Sequence, residues 1–445
     1  NGRPGQVWLD IPTEVQRAEI DPHRLTGFNG SGGVATEMFP HKLVCDEVMN
    51  LITAAARPVL IAGHGIRLAK AAEDFQELVE ALGWPVVTTW NGIDLLNHDH
   101  PLYLGCAGVM GQRGTNYAVA NSDLILSIGS RMDTRQLGNS PDLYARAAKK
   151  IVVDTDYHEL EKGLMKIGWP IRVDAKDFIA ALLARLQTET PSQSNQLRQS
   201  WLERCREWKQ KYPVVLDRYY QEKGVNSFIF IKELCRRLRG DEIIVTDMGT
   251  SLTCTMQTFF VKGRQRLFTN TGLAPMGFGL PGSVGAWFGS KDQRPIIGIY
   301  GDGGFQMNIQ ELQTVVHHEI PLKIFILNNR SYLTIKHTQE FFFDGFYSGS
   351  EPSSGYSAPD FCRVAEAYGI QAIRIKDLDQ LCAKIETFLN FSGPALCEVM
   401  MPENQDLIPI CTLDKTRSYA GQPIERMYPF LDEEEHQANM LINPA

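Results

Sequence analysis

The stretch Pro295-Ile-Ile-Gly-Ile-Tyr300-Gly301-Asp302-Gly303-Gly304 joins a continuous apolar run to a glycine-rich turn that carries one carboxylate. A second apolar run, at 322–327, ends in the same way at Asn328-Asn329, and residues 308–319 between the runs have the pattern of a helix. This order predicts a βαβ unit, whose two parallel strands end at the same edge of a sheet. Ligands of open parallel sheets bind at that edge, so we expect Asp302 and Asn329 to face one crevice.

The residue types at these two strand ends suit a hard cation beside a phosphate group. Asp302 offers a carboxylate oxygen and Asn329 an amide oxygen, and Mg²⁺ usually adds water or phosphate oxygens to such ligands. The glycines of the turn allow backbone N–H groups to approach a diphosphate closely. The alternative is a plain turn in which Asp and Asn cap the backbone, but the spacing and the strand context favour a metal site.

Two long α/β stretches organise the chain, at about 40–185 and 226–410. Further apolar runs lie at 59–62, 85–89, 124–128, 151–153, 242–246 and 395–399, with helical patterns between them. Continuous apolar strands that alternate with helices predict parallel sheets covered on both faces. We therefore expect an α/β protein with two doubly wound, mostly parallel-sheet domains. A polar linker at about 187–200 and a helix at 201–220 are expected between them.

The composition argues against a nucleic-acid-binding, a membrane-spanning and a disulfide-rich protein. The 445 residues suggest two or three domains, and the net charge of 44 − 52 = −8 argues against binding to nucleic acid. Apolar runs of 18 residues or more, which a membrane span requires, are not found, so we expect no membrane partner. The nine cysteines form no C-x-x-C motif, which favours reduced thiols in a cytoplasmic protein over a disulfide framework or a zinc ribbon.

These motifs resemble those of thiamin-diphosphate-dependent enzymes of the acetolactate synthase group (the large catalytic subunit), over nearly all of residues 1–410. The resemblance implies that Asp302, Asn329 and the backbone carbonyl of Ser331 bind Mg²⁺. It also implies that Met276 bends the thiamin cofactor and that the carbonyl of Ala274 accepts a hydrogen bond from its amine. The residues that the resemblance assigns to thiamin diphosphate are Gly249, Thr250, Ser251, Ala274, Met276, Gly301, Gly303, Gly304 and Asn328.

The first α/β stretch resembles the Rossmann-like central domain that binds FAD in acetolactate synthases. Arginines there would offer fixed donors to a diphosphate or to the flavin edge, and acidic groups at strand ends would accept from ribose or adenine. The alternative is a domain that keeps this fold without a flavin. The residues assigned to FAD are Gly63, Gly65, Thr89, Trp90, Gly108, Met110, Gly129, Arg131, Asp133, Arg135, Asp154, Thr155, Asp174 and Ala175.

The resemblance also predicts the domain limits. We expect a remnant of a pyrimidine-binding domain with its linker at 1–26, the central domain at 27–186, a linker and helix at 187–223, the diphosphate- and Mg²⁺-binding domain at 224–411 and a tail at 412–445. Only the last strand of the pyrimidine-binding domain, at 5–12, is expected. The Glu that protonates the cofactor ring in this family belongs to that domain, so we assign it to no residue and expect negligible turnover from this chain alone.

The implied reaction is carboligation, a transferase or lyase chemistry. A 2-keto acid such as pyruvate loses CO₂, and its acetyl unit passes to an aldehyde or ketone, in a homodimer or homotetramer. Acetolactate synthases carry a bulky Trp where this chain has Thr338. The run 331–339 more closely resembles thiamin enzymes found with bacterial surface-polysaccharide or branched-sugar pathways, and this resemblance implies a larger acceptor such as a keto-sugar. Lys336 and His337 could contact a substrate anion or lie in solvent, and His317-His318 lacks companion metal ligands. A 2-keto-acid decarboxylase, an aldehyde lyase and a non-catalytic cofactor-binding protein remain alternatives.

Overall fold

The computed structural model describes residues 8–27, 44–188, 195–411 and 422–443. Within these ranges twelve strands form two sheets of six, and every paired strand runs parallel to its neighbour. The prediction of two doubly wound α/β units with parallel sheets is therefore confirmed. The exact domain limits stay a prediction.

The strand order of the first sheet reverses at the centre of the sheet. Its strands are β1 (Pro58–Ala62), β2 (Val86–Thr88), β3 (Tyr103–Cys106), β4 (Leu124–Ile128), β5 (Lys149–Asp154) and β6 (Trp169–Arg172). Their spatial order is β3-β2-β1-β4-β5-β6, so the chain winds outward in both directions from the neighbours β1 and β4. Such a reversal opens a crevice between the ends of the two central strands.

The second sheet repeats this plan. Its strands are β7 (Ile243–Thr246), β8 (Arg266–Phe268), β9 (Ile296–Gly301), β10 (Lys323–Asn328), β11 (Gln371–Ile375) and β12 (Ala395–Met400). The spatial order is β11-β12-β10-β9-β7-β8, which places the reversal between β7 and β9. The predicted βαβ unit is β9 to β10, two strands that pair directly.

Helices cover both faces of each sheet. The helices of the first unit and its flanks are α1 (Thr13–Arg17), α2 (Asp46–Ala54), α3 (Gly65–Leu68), α4 (Ala72–Leu82), α5 (Arg113–Ala120), α6 (Thr134–Leu137), α7 (Tyr157–Glu161), α8 (Ala175–Thr188) and α9 (Asn195–Lys211). Those of the second unit and the tail are α10 (Ser227–Arg237), α11 (Thr250–Thr258), α12 (Gly279–Gly289), α13 (Asp302–Gln306), α14 (Leu312–His317), α15 (Leu333–Phe342), α16 (Phe361–Ala367), α17 (Leu378–Leu389) and α18 (Glu433–Ala438).

Alternation along β1 shows how the sequence builds these layers. Val59 and Ile61 join the core formed with α5 and α9, whereas Leu60 and Ala62 join the core formed with α4 and α8. Because successive side chains of a strand point to opposite faces, a strand that is buried on both faces must be apolar throughout. This is why the central strands were visible in the sequence as uninterrupted apolar runs.

One buried carboxylate joins the two units. Asp94 follows β2 and its side chain is fully buried. Its Oδ1 accepts from Arg67 Nη2 at 2.9 Å within the first unit. Its Oδ2 accepts from the backbone N–H of Leu267 at 2.9 Å and from Arg266, both in the second unit. A buried charge is tolerated only when it is fully paired, so Asp94 fixes β8 to the first unit.

The tail returns to the first unit. Asn116 of α5 donates to the carbonyl of Ile424 at 2.8 Å, and Trp208 of α9 donates to Asn439 Oδ1 at 2.8 Å. Residues 422–443 therefore lie against α5 and α9. The first part of the predicted tail, 412–421, lies outside the described residues.

Several expectations about secondary structure were wrong in detail, two of them at the N-terminal segment and after β9. Residues 8–12 of the expected strand form no strand and Trp8 is 92% exposed, because no described strand lies beside them to pair with their backbone; residues 5–7 lie outside the described ranges. The helix expected at 308–319 is broken into a short 3₁₀ turn and α14, since Asn308 donates its side chain to the carbonyl of Gly277 at 2.8 Å.

The linker between the sheets is more helical than predicted. α8 continues to Thr188 and α9 already begins at Asn195, while 189–194 lie outside the described residues. The helix expected at 201–220 ends at Lys211, because Pro213 cannot continue it.

The described residues contain no helix that is long and apolar enough to cross a membrane. All nine cysteines are free thiols, as predicted.

Candidate functional site

The tips of β9 and β10 lie side by side and carry the residues predicted to bind a metal. Gly301 pairs with Leu327, so Asp302 and Asn328 leave the two strands at the same level. Asp302, Asn329 and Ser331 are all buried. The structure thus brings the predicted metal ligands to one edge of the sheet.

Asp302 has the electrostatic character of a cation ligand. Burial raises the pKa of its carboxyl group to about 7, and the backbone N–H of Gly303, the nearby Tyr356 hydroxyl and the backbone N–H of Arg330 oppose that rise. The influence of Arg330 shows that the turn after β10 lies beside the carboxylate. Oδ1 accepts from Gly303 at 2.9 Å, whereas the buried Oδ2 has no hydrogen-bond partner among the described residues. A buried oxygen of this kind fits a divalent cation.

The two asparagines have different roles at the tip of β10. Asn329 donates its Nδ2 to Ser331 Oγ at 2.5 Å and to the carbonyl of Glu403 at 3.5 Å, which leaves the amide oxygen as the atom suited to a cation. Asn328 donates to Glu398 Oε1 at 2.6 Å and accepts from the backbone of Arg330 at 3.0 Å. The side chain of Asn328 therefore shapes the turn in which Asn329 lies.

Packing accounts for two of the three glycines in the turn after β9. A Cβ atom at Gly303 would lie 2.1 Å from the ring of Tyr332, and one at Gly304 would lie 2.4 Å from Asp247 Oδ2. A Cβ atom at Gly301 would meet no described atom within 4 Å. Gly301 thus borders open space at the strand end, where a bound group could approach the backbone.

Asp247, which the sequence reasoning missed, organises the same crevice from the tip of β7. Its buried carboxylate accepts from the backbone N–H groups of Met248 at 2.8 Å and Gly277 at 3.0 Å. Burial raises the pKa of this carboxyl group, and these hydrogen bonds lower it. They hold the segment with Ala274, at φ +56°, and half-buried Met276 against the strand end. The available signal was an acid directly after an apolar run, as at Asp302.

We expect Asp247→Ala to disorder the Met276 segment, because two buried N–H groups lose a charged acceptor, which costs about 1.5–3 kcal/mol per bond. The affinity for the thiamin diphosphate that the resemblance implies should fall on the order of 10-fold or more while the rest of the fold persists. Calorimetric titration with the cofactor checks this, and Asp247→Asn, which keeps one acceptor oxygen, should lose less. An alanine variant with unchanged affinity would contradict this role.

The first turn of α11 forms a third wall of the crevice. Gly249 has φ +84°, a left-handed value that favours glycine, and it directly precedes the helix. Thr250 and Ser251 are buried, and the hydroxyl of Ser251 donates to the carbonyl of Asp247 at 3.1 Å. Backbone N–H groups in a first helical turn lack intrahelical acceptors, so they are suited to a phosphate.

A cavity of about 310 Å³ lies at the strand ends of the first sheet. It occupies the crevice between β1 and β4, at the reversal of strand order. Most of the residues predicted for a flavin line it. They are Gly65, Thr89, Trp90, Gly129, Arg131, Asp133, Arg135, Asp154, Thr155, Asp174 and Ala175.

Three of the predicted flavin residues lie elsewhere. A Cβ atom at Gly63 would lie 2.1 Å from the carbonyl oxygen of Gly129, so Gly63 serves the contact between two backbones. A Cβ atom at Gly108 would lie 2.4 Å from the carbonyl of Arg135, which indicates the same role. Met110 faces the second unit, where Thr253 donates its hydroxyl to the sulfur at 3.4 Å.

The charged groups around this cavity are partly engaged within the protein. Arg131 pairs with Glu159 at 2.9 Å, and Asp133 caps α6 by accepting from the backbone of Arg135 at 3.0 Å. Asp174 likewise accepts from the backbone N–H of Lys176 at 2.8 Å. These bonds fix the direction of each side chain at the rim without closing the cavity.

A hydrogen bond connects this cavity to the other site. Asn91 and Thr271 both line the cavity, and Asn91 Nδ2 donates to Thr271 Oγ1 at 3.1 Å. Thr271 also begins the segment that leads to Met276. The two candidate sites therefore share one wall.

α15 begins beside the candidate metal ligands and has one face toward the crevice. A Cβ atom at Gly249 would lie 3.7 Å from Thr334 Oγ1, which places the first turn of α15 beside α11. Thr338 lies one turn further on and donates its hydroxyl to the carbonyl of Thr334 at 3.0 Å. The predicted acceptor position thus lies on the same face, and it is exposed.

The lysine and histidine side chains considered in the sequence lie outside the crevice or are paired within the protein. Lys336 is neither in solvent nor free, since it pairs with Glu351 at 2.6 Å and donates to Asn404 Oδ1 at 2.6 Å. His337 is half-buried, and burial lowers its pKa. His317 and His318 are exposed at the end of α14, where they stack edge to face with a centroid distance of 4.8 Å.

Family comparisons agree with this geometry. The family model for the thiamine pyrophosphate enzyme central domain matches residues 45–182, and that for the C-terminal TPP binding domain matches residues 247–399. The first match contains the cavity between β1 and β4. The second contains the crevice with Asp302 and Asn329.

Relatives with similar sequences cover most of the chain. The acetolactate synthase large subunit of Cyanidium caldarium is 30% identical over 94% of this chain and 70% of its own length. The probable acetolactate synthase large subunit of Methanocaldococcus jannaschii is 33% identical over 90% of this chain and 67% of its own length. The isozyme 2 large subunit of Escherichia coli K12 is 30% identical over 92% and 71%.

Proposed function

Because the chain belongs to the acetolactate synthase group of thiamin-diphosphate-dependent enzymes, we propose that it catalyses carboligation of a 2-keto acid with a second carbonyl compound. The observation that carries this proposal is the pair of strand tips at which buried Asp302, with its unpartnered Oδ2, lies beside the turn containing Asn329. Within the described residues, this is an arrangement suited to Mg²⁺ and a diphosphate.

We infer the following assignment of roles. Asp302, Asn329 and the carbonyl of Ser331 would hold Mg²⁺, while Gly249, the first turn of α11 and the turn after β9 would hold the diphosphate. Met276, fixed through Asp247, would set the shape of the bound cofactor. When bound, thiamin diphosphate supplies an electron sink for the pair released as CO₂ leaves a 2-keto acid. The protein's own part is to bind, orient and exclude water.

Pyruvate is the donor that we propose, since the relatives are named acetolactate synthases. For the acceptor we propose a carbonyl compound larger than pyruvate, such as a keto-sugar. The support is the small, exposed Thr338 on the face of α15 that begins at the crevice, where the resemblance leads us to expect a bulky Trp. Substrate volume at such a position controls which acceptor is productively bound.

Product analysis tests this proposal against its alternatives. The intact protein is incubated with pyruvate, Mg²⁺ and thiamin diphosphate, with and without a panel of keto-sugars, and the products are identified by mass spectrometry. Carboligation gives acetolactate or branched products. Release of acetaldehyde as the main product would indicate a decarboxylase instead, and binding of the cofactor without any product would indicate a non-catalytic protein.

Thr338→Trp should change the acceptor preference. A bulky ring on this face should lower the rate with a keto-sugar by on the order of 10-fold or more relative to the rate with pyruvate as acceptor. Competition between the two acceptors, followed by product mass, measures the ratio. Thr338→Ala, which removes only the hydroxyl bond to Thr334, is the matched control and should leave the ratio unchanged. A tryptophan variant with the original ratio would argue against this placement of the acceptor.

We further propose that FAD binds the cavity between β1 and β4. The fit rests on the eleven predicted residues that line it and on exposed Arg135, which makes no ion pair within the described part of the chain. Flavin absorbance in the purified protein tests this directly. A homodimer or homotetramer, as in the family, is proposed with it and is tested by light scattering.

A further inference from the structure

A second cavity lies between the two units and shares no lining residue with the first. Its volume is about 620 Å³. It is enclosed by α5, the end of α9, the segment 213–215, α10 and the end of α11. The proposed function uses none of its residues. Its size lies within the range of cavities that bind small organic molecules.

The charged side chains that line this cavity are all basic. Lys209, Lys232, Arg236 and Lys262 line it, and none of the described lining residues is acidic. Arg236 is paired with Glu233 at 2.7 Å. Within the described ranges the three lysines have no carboxylate partner; Lys209 and Lys232 donate to uncharged oxygens, the carbonyl of Tyr103 at 2.8 Å and the hydroxyl of Tyr220 at 3.1 Å. An anion bound in the cavity would supply these ammonium groups with a partner of opposite charge.

We propose that this cavity binds a small organic phosphate. Lysine ammonium groups bind phosphate as point charges, whereas a lone carboxylate is matched better by the planar fork of arginine. The volume of the cavity leaves room for the organic part of such a molecule beside the lysines. α11, whose last residues Gln257 and Thr258 line the cavity, connects it to the diphosphate crevice, about 12 Å away at about 1.5 Å per residue.

Calorimetric titration of the intact protein tests the proposal. Ribose 5-phosphate is titrated in the presence of saturating Mg²⁺ and thiamin diphosphate, so that the diphosphate crevice is filled, and ribose and inorganic phosphate are titrated separately. We expect saturable binding of ribose 5-phosphate that weakens with added salt, weaker binding of inorganic phosphate, and none of ribose.

Charge variants locate the binding. Lys232→Gln combined with Lys262→Gln should weaken ribose 5-phosphate at least 10-fold, whereas Lys291→Gln, at an exposed lysine outside the cavity, should leave it unchanged. Absence of saturable binding, equal affinity for inorganic phosphate, or equal loss in the control variant would overturn the proposal. Pyruvate turnover without ribose 5-phosphate, measured in parallel, should be the same in all three proteins, so this test stands apart from that of the proposed function.

Discussion

Asp302→Asn should strongly weaken Mg²⁺-dependent binding of thiamin diphosphate while leaving the cofactor-free protein at least as stable as before. The variant removes the one charged oxygen donor among the three proposed ligands, so affinity should fall by about 100-fold or more, equivalent to about 2.7 kcal/mol. The buried carboxylate, with Oδ2 unpartnered, destabilises the cofactor-free fold, and a neutral amide of the same shape relieves that cost.

Two measurements separate these effects. Calorimetry gives the affinity for thiamin diphosphate with and without Mg²⁺, and thermal unfolding of the cofactor-free protein gives the stability. Asp379→Asn, an exposed acid on α17 of the same unit, should change neither quantity. Wild-type affinity in Asp302→Asn would mean that the cation is held elsewhere, and a large loss of stability without cofactor would mean that Asp302 is a structural residue.

Asp94→Ala should be the most destabilising single substitution at the contact between the units. It leaves the Arg67 and Arg266 guanidinium groups and the N–H of Leu267 facing an empty site. Breaking a buried pair in this way costs about 3–5 kcal/mol. Because the lost bonds join two separate sheets, unfolding in urea should also change from one transition to two.

An exposed pair provides the comparison. Asp406 pairs with Arg218 at 2.9 Å with both side chains about half exposed, so Asp406→Ala should cost about 1 kcal/mol or less. Both variants remove a carboxylate from an arginine, and they differ in burial. Similar losses of stability in the two would refute the assignment of Asp94 as the residue that holds the units together.

The centre of each sheet could be predicted because burial on both faces leaves only apolar side chains. β4 and β10 were visible in this way. The edge strand β3 is buried, and it was missed because its short run Tyr-Leu-Gly-Cys contains a glycine. The edge strand β11, with the sequence Gln-Ala-Ile-Arg-Ile, is only partly buried and carries polar residues, so it resembles a loop. β6 and β8 were missed for the same reason.

In the candidate site too, the local sequence could predict some residues and not others. Asp302 and Asn329 could be found because a strand directly precedes each of them, and strand ends meet at one edge. The partners of Asp94 could not be found, since Arg266 lies 172 residues further along the chain and no local pattern connects the two. The cavity lined by Lys209, Lys232 and Lys262 could not be predicted for the same reason. These lysines come from separate segments that are brought together only by the packing of the two units.

The position of Thr271 has a consequence for how the two proposed cofactors would bind. The residue lines the cavity of the first unit, and it also begins the segment that ends at Met276 in the second. With a flavin in that cavity, the Asn91–Thr271 bond would restrict the segment before thiamin diphosphate binds. Thiamin diphosphate would then bind with a smaller loss of conformational entropy in this segment. By thermodynamic reciprocity, the thiamin cofactor would then raise the affinity for the flavin by the same factor.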